Sequence, residues 1–242
     1  MYVDIDIETI PGQGLLPSFM EDAKNNFRAP SGLSKKQALV DMGLDGEKKP
    51  QKFWTKDDTI KEWEVVMCKD KAKEVAEENW RKTALNGAQG EVISIAWSVA
   101  GEPIKHAVRT LESDEKALIE SVFSLIDSSL NGRPPVFAGH NVKFDLKFLY
   151  RRACILGIKP PFNLPFRGRH GKDYFCTSEA WCEYQERVSL HDLCRFLGIQ
   201  GKPDDIDGSK VWDFIKAGHY DRVAEYNCYD VERVQLIRKR LF

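Results

Sequence analysis

Three carboxylates stand at alternate positions near the start of the chain, Asp4, Asp6 and Glu8, with Val3, Ile5 and Ile7 between them. Successive side chains of an extended segment point to opposite faces, so Asp6 and Glu8 converge on one point beside a sheet while the aliphatic residues enter a core. Burying that pair without a counter-charge is expensive, and a cation is its natural partner. Asp4 shares the parity and either extends the acidic row or sits in solvent; Asp6, with apolar residues on both sides, is preferred as the first ligand. Two further acids lie in segments able to meet this pair. Asp145 follows Asn141 by four residues in GHNVKFDLKFL, and Asp230 follows Tyr226 by four in AEYNCYDVERVQLI, a spacing that puts both members of a pair on one face of a helix. Asp6, Glu8, Asp145 and Asp230 are hard oxygen ligands, which suit Mg²⁺ or Mn²⁺ rather than Zn²⁺. Four such groups can hold two ions about 3.5–4 Å apart, the arrangement that serves phosphodiester displacement. Tyr226, one turn before Asp230, can orient the attacking water by a hydrogen bond, since an ordinary phenol near pKa 10 is a poor general base.

These residues need elements that aim them at one point. The strict alternation over residues 2–8 predicts a strand with one buried face, stopped by Pro11 and Gly12. A second strand is expected over 91–100, and Gly101 and Pro103 turn the chain into a third over 104–109 as a hairpin. A helical pattern covers 116–126, and a short strand at 136–138 ends in Gly139, His140 and Asn141. The helix expected over 145–157 follows that strand, a place where α/β folds often put function because loops at strand ends can be aimed without disturbing the core. Asn141 is equally well explained as the cap of that helix. Further helical pieces run through 190–197, 209–216 and 219–242. The result is an α/β fold, a mixed sheet flanked by helices. Residues 11–88 form an insertion after the first strand, too long for an unstructured loop. Its second half spaces Ile60, Trp63, Met67, Val75, Ala76 and Trp80 as one helical stripe laid against the fold. The SGLSKK and GEKKPQK runs in its first half read as mobile, solvated surface in preference to a phosphate contact.

Composition bounds the function without identifying it. With 36 Lys and Arg against 37 Asp and Glu, the net charge of −1 gives no global attraction to nucleic acid, yet it leaves room for a basic rim around an acidic pocket. The 242 residues suffice for one large domain, taken as 1–242 with the insertion inside it. The six cysteines show no CxxC or zinc spacing, which points to a reduced intracellular protein. The acidic amino terminus does not suit a signal peptide, and no apolar run reaches the roughly 18 residues of a membrane helix. A cytoplasmic location without membrane partners is therefore expected.

Taken together, Asp6-Ile7-Glu8-Thr9, Asn141-Val142-Lys143-Phe144-Asp145 and Tyr226-Asn227-Cys228-Tyr229-Asp230 resemble the three motifs of the DEDD superfamily of 3′ to 5′ exonucleases, in its tyrosine-bearing branch. Within it the chain looks most like the predicted exonucleases related to the proofreading domain of family B DNA polymerases, through DIETIPG, ALNGAQGEVISIAW, GHNVKFDLKFLYRRA and SLHDLCRFLGIQGKPDDIDGSKVWDF. The resemblance implies a ribonuclease H-like fold and release of nucleoside 5′-monophosphates from a free 3′ end. By resemblance Asp6, Glu8 and Asp230 bind the first ion, and Asp6 bridges to a second whose shell Asp145 supports. Thr9 meets the terminal nucleotide, Asn141 lines the substrate side, and Phe144 is counted with them as a substrate contact. Single-stranded DNA is favoured over RNA, replication or repair proteins are possible partners, and a noncatalytic binding protein on the same fold is the remaining alternative.

Outside the motifs, Arg167, Arg169, His170 and Lys172 form a basic patch that either guides a strand toward the metals by phosphate attraction or is a solvated excursion of its loop. Phe162, Phe166 and Tyr174 interleave with those charges and either stack on bases or pack a stiff proline-rich loop. His140 either contacts phosphate or packs. The acidic turn KPDDIDGS, residues 202–209, carries no metal assignment.

Overall fold

The computed structural model describes residues 1–44, 53–183, 186–201 and 206–241. They fall into two compact units, Met1–Pro11 with Ala84–Phe242, and Gly12–Thr83.

In the first unit, β1 (Tyr2–Ile10) is the middle strand of a five-stranded sheet among the described residues. Strands β2 (Glu91–Val99), β3 (Lys105–Val108), β4 (Val136–Gly139) and β5 (Tyr174–Cys176) complete it in the order β3-β2-β1-β4-β5. β1 runs antiparallel to β2 and parallel to β4, so the sheet is mixed as the alternation and the connections predict. The turn from β2 to β3 puts Ala100 and Gly101 both at positive φ, 53° and 80°, and Glu102 N–H closes it on the Val99 carbonyl at 2.9 Å. That backbone matches the twist of a two-residue hairpin. β5 is a strand that the sequence pattern does not announce: it is three residues long and emerges from a proline-rich loop.

The alternation of β1 divides two layers. Val3, Ile5 and Ile7 enter the main core, which α4 (Glu115–Leu130) supplies with Ile119, Val122, Phe123 and Ile126. Helix α5 (Val142–Leu156) adds Leu146, Phe148, Leu149 and Ala153 to it. Asp114 starts α4 by accepting the Lys116 N–H at 2.9 Å, and Asn131 ends it in the left-handed conformation. The opposite face of the sheet is covered by α9 (Tyr220–Leu241), whose Val234 packs with Ala138 of β4 and Phe175 of β5. Short helices α6 (Thr177–Trp181), α7 (Leu190–Phe196) and α8 (Val211–Lys216) complete this layer. Ile237 of α9 clusters with Leu193 and Cys194 of α7. No disulfide joins any of the six cysteines, and no helix among the described residues is long and apolar enough to cross a membrane.

The second unit is helical: α1 (Leu16–Asn25), α2 (Lys35–Asp41) and α3 (Lys56–Arg81). Thr55 and Asp58 start α3 with a reciprocal capping box. Trp63, Ala72, Ala76 and Trp80 are buried along it, whereas Val75 of the expected stripe is exposed. Trp63 stacks on Phe27 at 5.8 Å and donates to Asp41, and Trp80 donates to the Gly12 carbonyl at 2.8 Å. The SGLSKK run is ordered, with Ser34 capping α2. The GEKKPQK run lies outside the described residues.

Within the first unit, the Thr9 hydroxyl donates to the Ala84 carbonyl at 2.7 Å, joining the segments on either side of the insertion.

Candidate active site

The acidic row of β1 faces α9, and each acid meets a different partner there. At the start of the row, Asp4 is fully buried and accepts from Arg238 at 2.8 and 2.9 Å and from Gln235 at 3.1 Å. Burial raises its carboxyl while Arg238 and Gln235 pull it back. Asp4 is thus neither a solvent-facing acid nor a member of the acidic cluster; its charge is spent on holding the end of α9.

One pleat on, Asp6 accepts from the Asn227 amide at 2.6 Å, and the Oδ1 of that amide accepts from the Ser94 hydroxyl at 3.0 Å. Glu8 sits opposite Ser94 in the β1–β2 ladder, just before a register shift between Glu8 and Thr9. A shift of this kind re-aims side chains at the rim of a sheet. From α9 comes Asp230, and one ligand oxygen from each of Asp6, Glu8 and Asp230 lies within 4.8 Å of the others.

Asp145 arrives from the other layer. β4 ends at Gly139, where an added Cβ would lie 2.9 Å from both the Ile5 carbonyl oxygen and Val142, so only glycine lets the chain turn so close to β1. Asn141 follows at φ 57°, ψ 34°, and α5 begins at Val142, three residues before the start that the sequence pattern predicts. Asp145 in its first turn then accepts the Ile7 N–H at 3.1 Å. Beyond the parallel pairing of Tyr2, Val3 and Asp4 with β4, this carboxylate supplies an acceptor to the continuing strand.

Burial pushes the Asp6 carboxyl well above its ordinary range, reinforced by the charges of Asp145, Asp230 and Glu8 and opposed by the Asn227 hydrogen bond. Burial likewise lifts Asp145 to about 8, against hydrogen bonds from the backbone N–H groups of Ile7 and Asp145 itself, with Asp230 adding repulsion. Three converging carboxylates, with Asp145 near enough to repel Asp6 and Asp230 electrostatically, favour a cation in a weakly solvated place. The donor set is oxygen throughout, which suits a hard divalent cation.

Tyr226 is 6% exposed and packs with Ile10, Ile93, Ile206, Val211, Ile215 and Val223. The ring is thus part of a second apolar cluster and serves core packing as well as carrying the hydroxyl. Burial raises its hydroxyl pKa, and Asp230, Glu8, Asp6 and Asp207 raise it further, so the phenol stays protonated.

The remaining candidates separate. Asn141 is exposed at the amino-terminal cap position of α5, yet its side chain makes no capping hydrogen bond, which leaves the amide to the surface beside Asp145. Phe144 is half-buried against the main core and packs on Phe148 at 5.7 Å. Thr9 is half-buried with its hydroxyl committed to Ala84. Arg167, Arg169 and Lys172 are not brought to the acids. Their loop leads into the start of β5, and Lys172 lines a groove with Arg133, Pro134 and Val136 at the amino-terminal end of β4. The acids lie beyond the other end of that strand, and the fifteen residues of α5 that connect the two ends span about 22 Å. Phe162 packs against Phe123 and Phe137, Phe166 against Tyr150, and Tyr174 is buried, so these rings serve the protein's own packing. His140 faces the Val188 carbonyl through Nε2 at 3.0 Å and the Thr177 hydroxyl through Nδ1 at 2.8 Å, a packing role. Within the 202–209 turn, residues 202–205 lie outside the described residues; Ile206 packs beside Tyr226.

Asn227 and Ser94 were not singled out from the sequence. The signal for Asn227 is present: Ala224, Asn227, Val231 and Val234 recur at spacings of three and four, so a polar residue interrupts the buried stripe of α9.

Residues 85–238 match a family described as a predicted 3′–5′ exonuclease related to the exonuclease domain of PolB. The matched span holds Asn141, Asp145, Tyr226, Asn227 and Asp230, while Asp6 and Glu8 precede it. An uncharacterized protein of Methanocaldococcus jannaschii is 29% identical over 110 residues, 43% of this chain and 62% of that protein. The family B DNA polymerase from the hyperthermophilic archaeon Pyrobaculum calidifontis shares the fold: the likeness covers 99% of this chain and 24% of the polymerase, with a TM-score of 0.53 and 11% identity. The chain therefore spans less than two thirds of the length of either protein.

Proposed function

The chain belongs to the predicted 3′–5′ exonucleases related to the exonuclease domain of PolB, and from that premise we propose that it shortens single-stranded DNA from a free 3′ end, releasing nucleoside 5′-monophosphates with two Mg²⁺ or Mn²⁺ ions. The reading places it in the tyrosine-bearing branch of the DEDD exonucleases. The observation that carries it is the convergence of Asp6, Glu8 and Asp230 within 4.8 Å, drawn from the two ends of the chain.

In this reading Asp6, Glu8 and Asp230 would hold one ion, and Asp6 with Asp145 would support a second. Bound divalent ions supply a nucleophile at neutral pH and neutralise charge developing on the phosphate. The protein contributes placement. Tyr226, kept protonated by burial and by the neighbouring acids, donates or accepts a hydrogen bond that orients the attacking water. It does not act as the base, because abstraction of a proton demands a pKa near the working pH. Asn141, exposed at the start of α5, contacts the substrate, with Thr9 and Phe144 beside the terminal nucleotide. Arg167, Arg169 and Lys172 act only on strands long enough to reach the far end of the sheet.

The test is a 5′-labelled DNA oligonucleotide incubated with Mn²⁺ or Mg²⁺, beside Asp6→Ala and Asp230→Ala. A ladder that shortens from the 3′ end and vanishes in both variants is the expected result. A matched RNA strand cut faster than DNA would reassign the substrate, and absence of cleavage on both would overturn the enzymatic reading.

A further inference from the structure

Asp4 and Asp6 are two residues apart on one face of β1, and both are held by side chains of α9, yet the holders differ in charge. Arg238 brings a full positive charge to Asp4, with the neutral Gln235 beside it. Asp6 receives a neutral amide, which fixes a carboxylate without cancelling it. The amide is itself fixed. Asn227 is fully buried, and the Ser94 hydroxyl, also buried, donates to its Oδ1. Reversing the amide would aim a carbonyl oxygen at the Asp6 carboxylate and leave the hydroxyl facing an NH₂ group, so the chain Ser94, Asn227, Asp6 has one orientation in which both hydrogen bonds are made.

We propose that Asn227, oriented by Ser94, is a positioning residue that holds the Asp6 carboxylate toward Glu8 and Asp230 while preserving its charge, and thereby sets the affinity of the site for its divalent cation. The inference rests on the nuclease reading above and names a part of that site which the carboxylate motif does not contain. Its chemical logic is selection by neutrality: along one acidic row, the acid met by a guanidinium becomes structural and the acid met only by an amide remains a ligand. Partners of this kind govern ligand orientation, and their loss typically weakens metal binding by about 10- to 100-fold.

The experiment uses the full chain with Mn²⁺ as the probe, followed by calorimetry and by the loss of the free-ion electron paramagnetic resonance signal. Asn227→Ala should weaken Mn²⁺ binding by about 10-fold or more, and excess Mn²⁺ should restore most of the cleavage rate. Ser94→Ala should shift affinity in the same direction by less, since it releases the amide without removing it, and it keeps the idea testable should Asn227→Ala fold poorly. Gln235→Ala, which removes an amide from Asp4, should lower thermal stability and leave Mn²⁺ affinity unchanged. Wild-type affinity in both Asn227→Ala and Ser94→Ala, with only their melting temperatures lowered, would overturn the inference while leaving the nuclease reading intact. If the wild type binds no Mn²⁺, both fall together.

Discussion

The carboxylate of Asp145 accepts the backbone N–H of Ile7 at 3.1 Å, so a side chain in the first turn of α5 finishes the hydrogen bonding of a strand in the middle of the sheet. The residue serves the sheet and the acidic cluster at once, and the two roles come apart by substitution. Asp145→Asn keeps an acceptor for Ile7 and removes a charge; Asp145→Ala leaves a buried donor unsatisfied, at a cost of about 1–3 kcal/mol. We expect both variants to lose cleavage and only Asp145→Ala to lose stability in urea. Equal destabilisation would show that the charge, rather than the acceptor, matters to the fold.

At a site of this kind, proton binding and cation binding would compete for the same oxygens. Asp6 and Asp145 have folded-state affinities for protons above the ordinary carboxylate value, Asp145 with a pKa of about 8. The stabilisation this gives is full below the unfolded pKa near 4 and is lost as pH rises toward the folded value. Protein treated with a chelator should therefore melt lower at pH 8 than at pH 5, by roughly 5 °C. Mn²⁺ should recover more of the melting temperature at pH 8 than at pH 5. A melting temperature that does not fall between pH 5 and pH 8 would show that burial and neighbouring charge do not raise these carboxyl groups.

Repulsion within the cluster implies a trade between activity and stability. Glu8→Gln and Asp230→Asn each remove one negative charge that raises the Asp6 carboxyl. Both should abolish cleavage and raise the melting temperature of the chelated protein by about 2–4 °C, corresponding to about 1 kcal/mol. Unchanged or lower melting temperatures would count against strain in the metal-free site.

Tyr226 divides into a ring and a hydroxyl. Tyr226→Phe keeps the packing against Ile10, Ile93 and Val211 and should slow cleavage by roughly 10-fold or more, each tenfold being about 1.4 kcal/mol of barrier. Tyr226→Ala should also destabilise by about 3–5 kcal/mol through the cavity it opens. Because the hydroxyl pKa is raised, the pH–rate profile of the wild type should show no tyrosine limb below pH 10. A limb in that range that disappears in Tyr226→Phe would restore a role as general base.

Distance from the acids gives the basic loop a length signature. Neutralising Arg167, Arg169 and Lys172 together should leave cleavage of a trinucleotide unchanged and weaken binding of a 20-mer at low salt, with a shallower salt dependence. Slower cleavage of the trinucleotide would mean that these side chains act at the acids after all.

The parts of this molecule that sequence makes legible are those carried by local period. Alternation on β1 sorts Val3, Ile5 and Ile7 from Asp6 and Glu8, and the four-residue spacing of Tyr226 and Asp230 places them together on α9. The Asp4–Arg238 pair joins residues 234 apart, and nothing local in either segment marks it. β5 and α6 are three and five residues long, too short for a period to emerge. The packing of the Tyr226 ring is not legible locally, because its neighbours Ile10, Ile93 and Val211 come from three separate segments. The position of the basic loop follows from the direction of α5, which composition does not encode.

The hydrogen bond from Thr9 to Ala84 spans 75 positions of sequence at 2.7 Å. For the sheet, everything between those two residues is topologically a single turn, a splice point at which seventy residues or a handful can be accommodated with the same strand geometry. Entropy of closure grows only slowly with the length of such a detour. The sheet thus carries a socket immediately after Asp6 and Glu8, and cargo at that socket can change without re-registering a strand.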